Sequence, residues 1–110
     1  MSEDGFVILV GRNSWQNEEL TFHLAQAEDV WLHAKGVPGA HIVIRSQGRE
    51  VPERTLVEAA ELAAQHSAAR DEQSVSVDYT LRKNVRRPKG ARPGQVLYRG
   101  QKTLVVQPSD

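Results

Sequence analysis

The sequence predicts an α+β fold: a mixed, largely antiparallel sheet carrying one long and one short helix, in a single domain over residues 1–110. Three observations predict it. Short apolar runs recur along the chain, most of them alternating with polar residues and bounded by glycine or proline, which is the pattern of strands. One stretch after Pro52 has the spacing of a long, alanine-rich amphipathic helix. The length of 110 residues, with 39% hydrophobic and 25% charged side chains, fits one globular unit and excludes disordered or fibrous classes.

In chain order, Phe6–Val10 reads as a buried, β-branched strand between Gly5 and Gly11. The stretch Asn17–Ala27 is expected to be the short helix, with Leu20, Leu24 and Ala27 at helical spacing. Val30–Lys35 and His41–Arg45 alternate around Gly36-Val-Pro-Gly-Ala40 and predict a hairpin. The hydrophobic pattern selects a register in which Lys35 faces His41, Ala34 faces Ile42, Leu32 faces Ile44 and Trp31 faces Arg45. The long helix is expected from about Thr55 to about Arg70, opened by a Thr55/Glu58 capping box, with Leu56, Leu62 and several alanines on its inner face. Val75–Leu81 alternates as a strand, and Val96–Arg99 with Lys102–Gln107 forms a second hairpin about Gly100-Gln101.

Composition removes several function classes. The chain has no cysteine, which excludes disulfides, thiolate zinc sites and a thiol nucleophile and makes the cytoplasm the expected compartment. The longest apolar run is far too short to cross a bilayer, and neither a membrane span nor a secretory signal is expected. His23, His33, His41 and His66 fit no zinc spacing, and the glycines match neither a Walker loop nor a dinucleotide fingerprint. His66, Ser67 and Asp71 contain the letters of a hydrolase triad but lie in a helical stretch without a nucleophile elbow. No catalytic residue, metal or cofactor is therefore expected.

The formal net charge of zero conceals a division along the chain. Residues 1–78 carry six basic against thirteen acidic side chains, and residues 79–110 carry eight against one. A polyanion responds to the local field, so nucleic acid is a candidate partner despite the neutral sum. The basic excess is concentrated in residues 82–94, where Arg82, Lys83, Arg86, Arg87, Lys89 and Arg92 occur without an acid among prolines and glycines. This segment is expected to be an exposed loop whose cations contact phosphates, the alternative being a loop that is simply solvated. A second constellation is Asp29-Val-Trp-Leu-His-Ala-Lys35. Strand alternation puts Asp29, Trp31, His33 and Lys35 on one face, and with Arg45 across the hairpin they would form a platform for stacking and hydrogen bonding to RNA. The same pattern also allows Trp31 to complete a second packed layer, with His33 donating to a backbone carbonyl.

These segments resemble the NFACT-R domain, the RNA-binding C-terminal module of the NFACT, RqcH and NEMF family. The matching stretches are Val10-Gly-Arg-Asn13 with Asn17 and Leu20-Thr21, Asp29-Val-Trp-Leu-His33, Pro38–Ile44, the Thr55–Ala60 helix, Val77–Thr80, and Val85–Tyr98 with Lys102–Leu104, including the Pro-Lys-Gly-x-x-Pro-Gly segment at Pro88–Gly94. The family motif therefore adds Gly11, Arg12, Asn13 and Asn17 to the site residues. Glu18 stands where the family usually has Asp. The resemblance implies binding of tRNA or ribosomal RNA in ribosome-associated quality control, where full-length relatives recruit alanyl-tRNA to extend stalled peptides. Those relatives carry further domains that these 110 residues do not contain, so the chain is expected to be a stand-alone NFACT-R protein. RNA, the large ribosomal subunit and a protein supplying the missing domains are its expected partners. The leading expectation is a non-catalytic RNA-binding module. The alternatives are an accessory tRNA-binding subunit of an RNA-modifying enzyme, and a small hydrolase or nuclease using His33 oriented by Asp29.

Overall fold

In a computed structural model, which describes residues 1–108, five strands form one antiparallel sheet between a helix on one face and a turn and a ribbon on the other. The strands are β1 (Ile8–Val10), β2 (Val30–Ala34), β3 (Ile42–Ile44), β4 (Val75–Leu81) and β7 (Lys102–Val106), in spatial order β1-β3-β2-β4-β7. A separate two-stranded ribbon pairs β5 (Val85–Arg86) with β6 (Leu97–Tyr98). The helices are α1 (Ser14–Glu19), which runs on into a π-helical turn at Leu20–Leu24, and α2 (Glu53–Gln65). The α+β class is as the sequence predicts. No helix of the described residues is long and apolar enough to cross a membrane.

Each face of the sheet builds a core. On one side Val30, Leu32, Ala34, Ile42, Ile44, Val75 and Val77 meet Ala59, Ala60, Ala63 and Ala64 of α2. The small alanines let the helix lie close on the sheet, and each apolar atom removed from water contributes at roughly 25 cal/mol per Å². On the other side Trp31 and Val43 pack under Leu20 and Val85, with Leu9, Phe22, Val96 and Tyr98 around them. Trp15 on α1 stays 74% exposed.

Several elements depart from the sequence reading, each for a local reason. α2 begins two residues early, at Glu53 after Pro52, whose fixed φ suits the residue before a helix. The expected capping box is not formed. Thr55 instead lies 3.3 Å from Ser2 Oγ and 3.4 Å from the Asp4 carboxylate, while Glu58 accepts from the Glu3 amide at 3.3 Å. Both side chains thus fasten the N-terminal segment to the helix. α2 ends at Gln65 rather than Arg70 because residues 66–68 pair with the 38–40 loop, the Ala40 amide donating to His66 and the Ala68 amide to Pro38. The short helix starts at Ser14, capped by Asn13, whose side chain accepts from the Gln16 amide at 2.9 Å.

The β2–β3 register is also shifted. Val30 faces Ile44, Trp31 faces Val43 and Leu32 faces Ile42, two residues away from the expected pairing. A shift of two preserves every side chain's face, so hydrophobic patterning is blind to it. The tie between residues 38–40 and 66–68 draws the loop aside and supplies the missing constraint. The second expected hairpin does not exist. β6 pairs with β5 and β7 with β4, the chain crossing from ribbon to sheet at Gly100, whose φ of +67° is open to glycine.

Candidate nucleic-acid interface

The row Asp29, Trp31, His33, Lys35 lies on the face that the ribbon covers, and it is not an open platform. Trp31 is 0% exposed. Its ring is stacked on His33 (5.8 Å between centroids, 4° between planes), edge-on to His41 (5.3 Å) and tilted against Tyr98 (4.8 Å). The reading in which Trp31 completes a second packed layer is the one the structure adopts, and no base can reach its face. Asp29 is buried, accepting from the amides of Gln26 (2.9 Å) and Ser46 (3.0 Å), so it ties the turn before β2 to the loop after β3. With both oxygens so engaged it does not orient His33, and the hydrolase reading loses its carboxylate. The register shift places Arg45 away from Trp31, its guanidinium 3.4 Å from the Leu24 carbonyl. Lys35 is the one exposed member of the set, 4.0 Å from the Asp78 carboxylate.

What the row builds is the floor of a cleft. His33, His41 and Tyr98, with Gly36–Pro38, Gly94 and Val96, line a hollow of about 320 Å³ between the hairpin loop and the ribbon. Burial lowers the pKa of His33, opposed by backbone hydrogen bonds at Ala34 and Gly39 and by the Asp78 charge. His41 is pushed down to about 4, first by burial and then by the neighbouring His33. Both imidazoles are therefore neutral near pH 7. The Tyr98 hydroxyl donates to Asp78 at 2.6 Å and Thr103 donates to the other carboxylate oxygen at 2.7 Å; burial, then the Asp78 bond, raises the phenol pKa.

The motif residues at and before the start of α1 hold this floor. The Asn17 side chain accepts from the His41 amide at 3.1 Å, the Gly11 amide donates to the His41 carbonyl at 2.9 Å, and His41 Nδ1 lies 2.7 Å from the Thr21 hydroxyl. A Cβ at Gly11 would stand 2.2 Å from Asn17 Oδ1, so the close approach requires glycine. Asn13 acts as the helix cap, and Arg12 is exposed.

The basic segment 82–94 is an ordered arm rather than a loop throughout, beginning with a 3₁₀ turn (Arg82–Asn84) and β5 and burying Val85. Three of its six cations are engaged by other groups of the protein. The π turn leaves the Thr21 carbonyl without a helical partner, because the Ala25 amide bonds to Leu20; Arg82 Nε donates to it and lays its guanidinium over Phe22. Lys83 pairs with Glu28 at 2.9 Å, and Arg87 pairs with Glu18, whose other oxygen accepts from the Gly94 amide at 3.0 Å. Glu18, with only 10% of its side chain exposed, thus clamps the arm to α1. Arg86, Lys89 and Arg92 remain exposed, with no ion-pair partner among the described residues.

Sequence reasoning missed a second cleft, of about 550 Å³, which shares Pro38 with the first and is lined by Arg12, Asn13, Gln65, His66, Ser67 and Arg70 among others. Its residues lie far apart in sequence, and the tie between 38–40 and 66–68, with the bonds of Gly11 and Asn17 to His41, unites them.

Residues 1–104 match the family model for the NFACT protein RNA binding domain. The chain belongs to the NFACT-R family. This NFACT-R domain is 50% identical over 107 residues to the Rqc2 homolog RqcH of Bacillus subtilis, covering 97% of the chain and 18% of that protein. To the Streptococcus suis Rqc2 homolog RqcH it is 46% identical over 104 residues, covering 94% and 19%. The NFACT-R chain therefore spans about a fifth of the length of these relatives. Among solved structures, the C-terminal part of the fibronectin/fibrinogen-binding protein of Streptococcus suis superposes with a TM-score of 0.94 at 45% identity, covering 100% of this chain and 44% of that one.

Proposed function

We propose that this NFACT-R domain is a non-catalytic RNA-binding module that takes tRNA or ribosomal RNA in ribosome-associated quality control, in the cytoplasm and against the large ribosomal subunit. The observation that carries the reading is the arm: Arg86, Lys89 and Arg92 stand exposed on a backbone that Glu18 and Arg82 hold in place. Unpaired cations on an ordered backbone repel one another, and a polyanion relieves that repulsion without first having to order the chain. The family of RNA-binding domains and the RqcH relatives support the same reading. The test replaces Arg86, Lys89 and Arg92 together by Glu and measures affinity for tRNA and for ribosomal RNA fragments. Affinity for both should fall about tenfold or more while the melting temperature stays unchanged, because the three side chains make no contact that holds the fold. Unchanged affinity would overturn the proposal.

A further inference from the structure

We infer that the cleft between Arg12 and Arg70 is a second phosphate-binding site, separate from the arm, which takes a phosphodiester of the bound RNA. The inference rests on the RNA-binding reading. The strongest observation is the lining itself. Residues 1–78 carry thirteen acids and six basic side chains, yet two of those six, Arg12 and Arg70, line this one cleft with His66, and no carboxylate lines it. Neither arginine has an ion-pair partner among the described residues, and both are exposed to a ligand.

The Arg12 charge also reaches His66: after burial, it is what lowers the imidazole pKa. Two guanidinium groups lining one cleft, with no carboxylate among the lining residues to balance them, create a field that favours an anion. The end of α2 also lines the cleft, and its free carbonyls would ordinarily repel one. Three carbonyls there are engaged, however: that of His66 accepts from the Ala40 amide, that of Leu62 from the His66 amide, and that of Ala64 from the Ser67 hydroxyl at 2.8 Å. Guanidinium forks match phosphate oxygens in geometry, and a cleft of about 550 Å³ has room for a phosphate with its ribose.

The experiment measures affinity for bulk tRNA against salt concentration for the full chain and for Arg12→Gln/Arg70→Gln, and follows the His66 ring signal by NMR, assigned with His66→Gln. The double variant should bind tRNA about five- to tenfold more weakly at low salt, with its log–log salt slope shallower by roughly 0.7–0.9 for the one phosphate lost. The His66 signal should move when tRNA is added to the native chain and to the Arg86/Lys89/Arg92 charge-reversal variant at concentrations that restore its binding. Native-like affinity and slope in the double variant would overturn the inference and leave the RNA reading standing. If inorganic phosphate moves the His66 signal and tRNA does not, the cleft takes free phosphate, which overturns its assignment to RNA. If the native chain binds no tRNA or ribosomal RNA at low salt, the RNA reading fails and this inference with it.

Discussion

Trp31 holds together the ribbon side of the sheet, meeting two imidazoles and a phenol as well as Leu20, Val43 and Val85. Trp31→Ala should cost roughly 3–5 kcal/mol of folding stability, with RNA affinity lost only as far as the protein unfolds. The indole Nε1 is buried without a hydrogen-bond partner, so Trp31→Phe, which removes that group and keeps an aromatic ring, should be much milder. Chemical denaturation of both variants checks the pair; equal losses would contradict this assignment. His41 predicts a pH dependence. Its pKa is about 4 in the fold against 6.5 for a free imidazole, so protons bind preferentially to the unfolded chain. The stability this group supplies is complete above about pH 6.5 and is lost as the pH falls towards 4, and His33, also lowered, acts in the same direction. Between pH 7 and pH 4.5 the loss from His41 should be about 2–3 kcal/mol, and smaller in His41→Gln. Urea midpoints at the two pH values measure it.

Among the elements, the arm depends on one carboxylate. Glu18→Gln removes the charge that pairs with Arg87 and weakens the bond from the Gly94 amide, so the arm should open more often. Amide hydrogen exchange over residues 87–97 should accelerate while α2 and β4 stay protected; uniform acceleration would show that Glu18 supports the fold as a whole. Elements governed by local pattern were legible in the sequence. β4 spans Val75–Leu81 as expected, and the body of α2 was evident from its alanine spacing. Elements governed by remote partners were not. Nothing near Thr55 signals that Ser2 and Asp4 will occupy its hydroxyl, and nothing near Leu97 signals that its partner is Arg86 rather than β7. The site divides in the same way. The basic residues of the arm were plain from composition, but three of the six are held by Thr21, Glu28 and Glu18, acceptors far from the arm in sequence.

Across the whole molecule, the basic excess of residues 79–110 leaves Arg86, Lys89 and Arg92 exposed together on the arm. Binding should therefore be salt-sensitive despite the neutral sum. Three arm contacts give a slope of log K against log salt near −2 to −3, and the one phosphodiester in the cleft steepens it to about −3 to −3.6. Titrations of tRNA at several salt concentrations provide the check, and a slope near zero would remove the electrostatic basis of the interface.

The two tryptophans occupy opposite environments, Trp15 at 74% exposure and Trp31 at 0% beneath the arm. Indole emission moves to the blue as water is excluded, and nearby imidazole and phenol rings alter its yield. The protein therefore carries its own optical gauge. With Trp15→Phe, the remaining indole fluorescence comes from Trp31 alone, and a red shift reports the ribbon lifting from the sheet. Seating of the arm can then be timed in a stopped-flow instrument, without a dye, as RNA arrives.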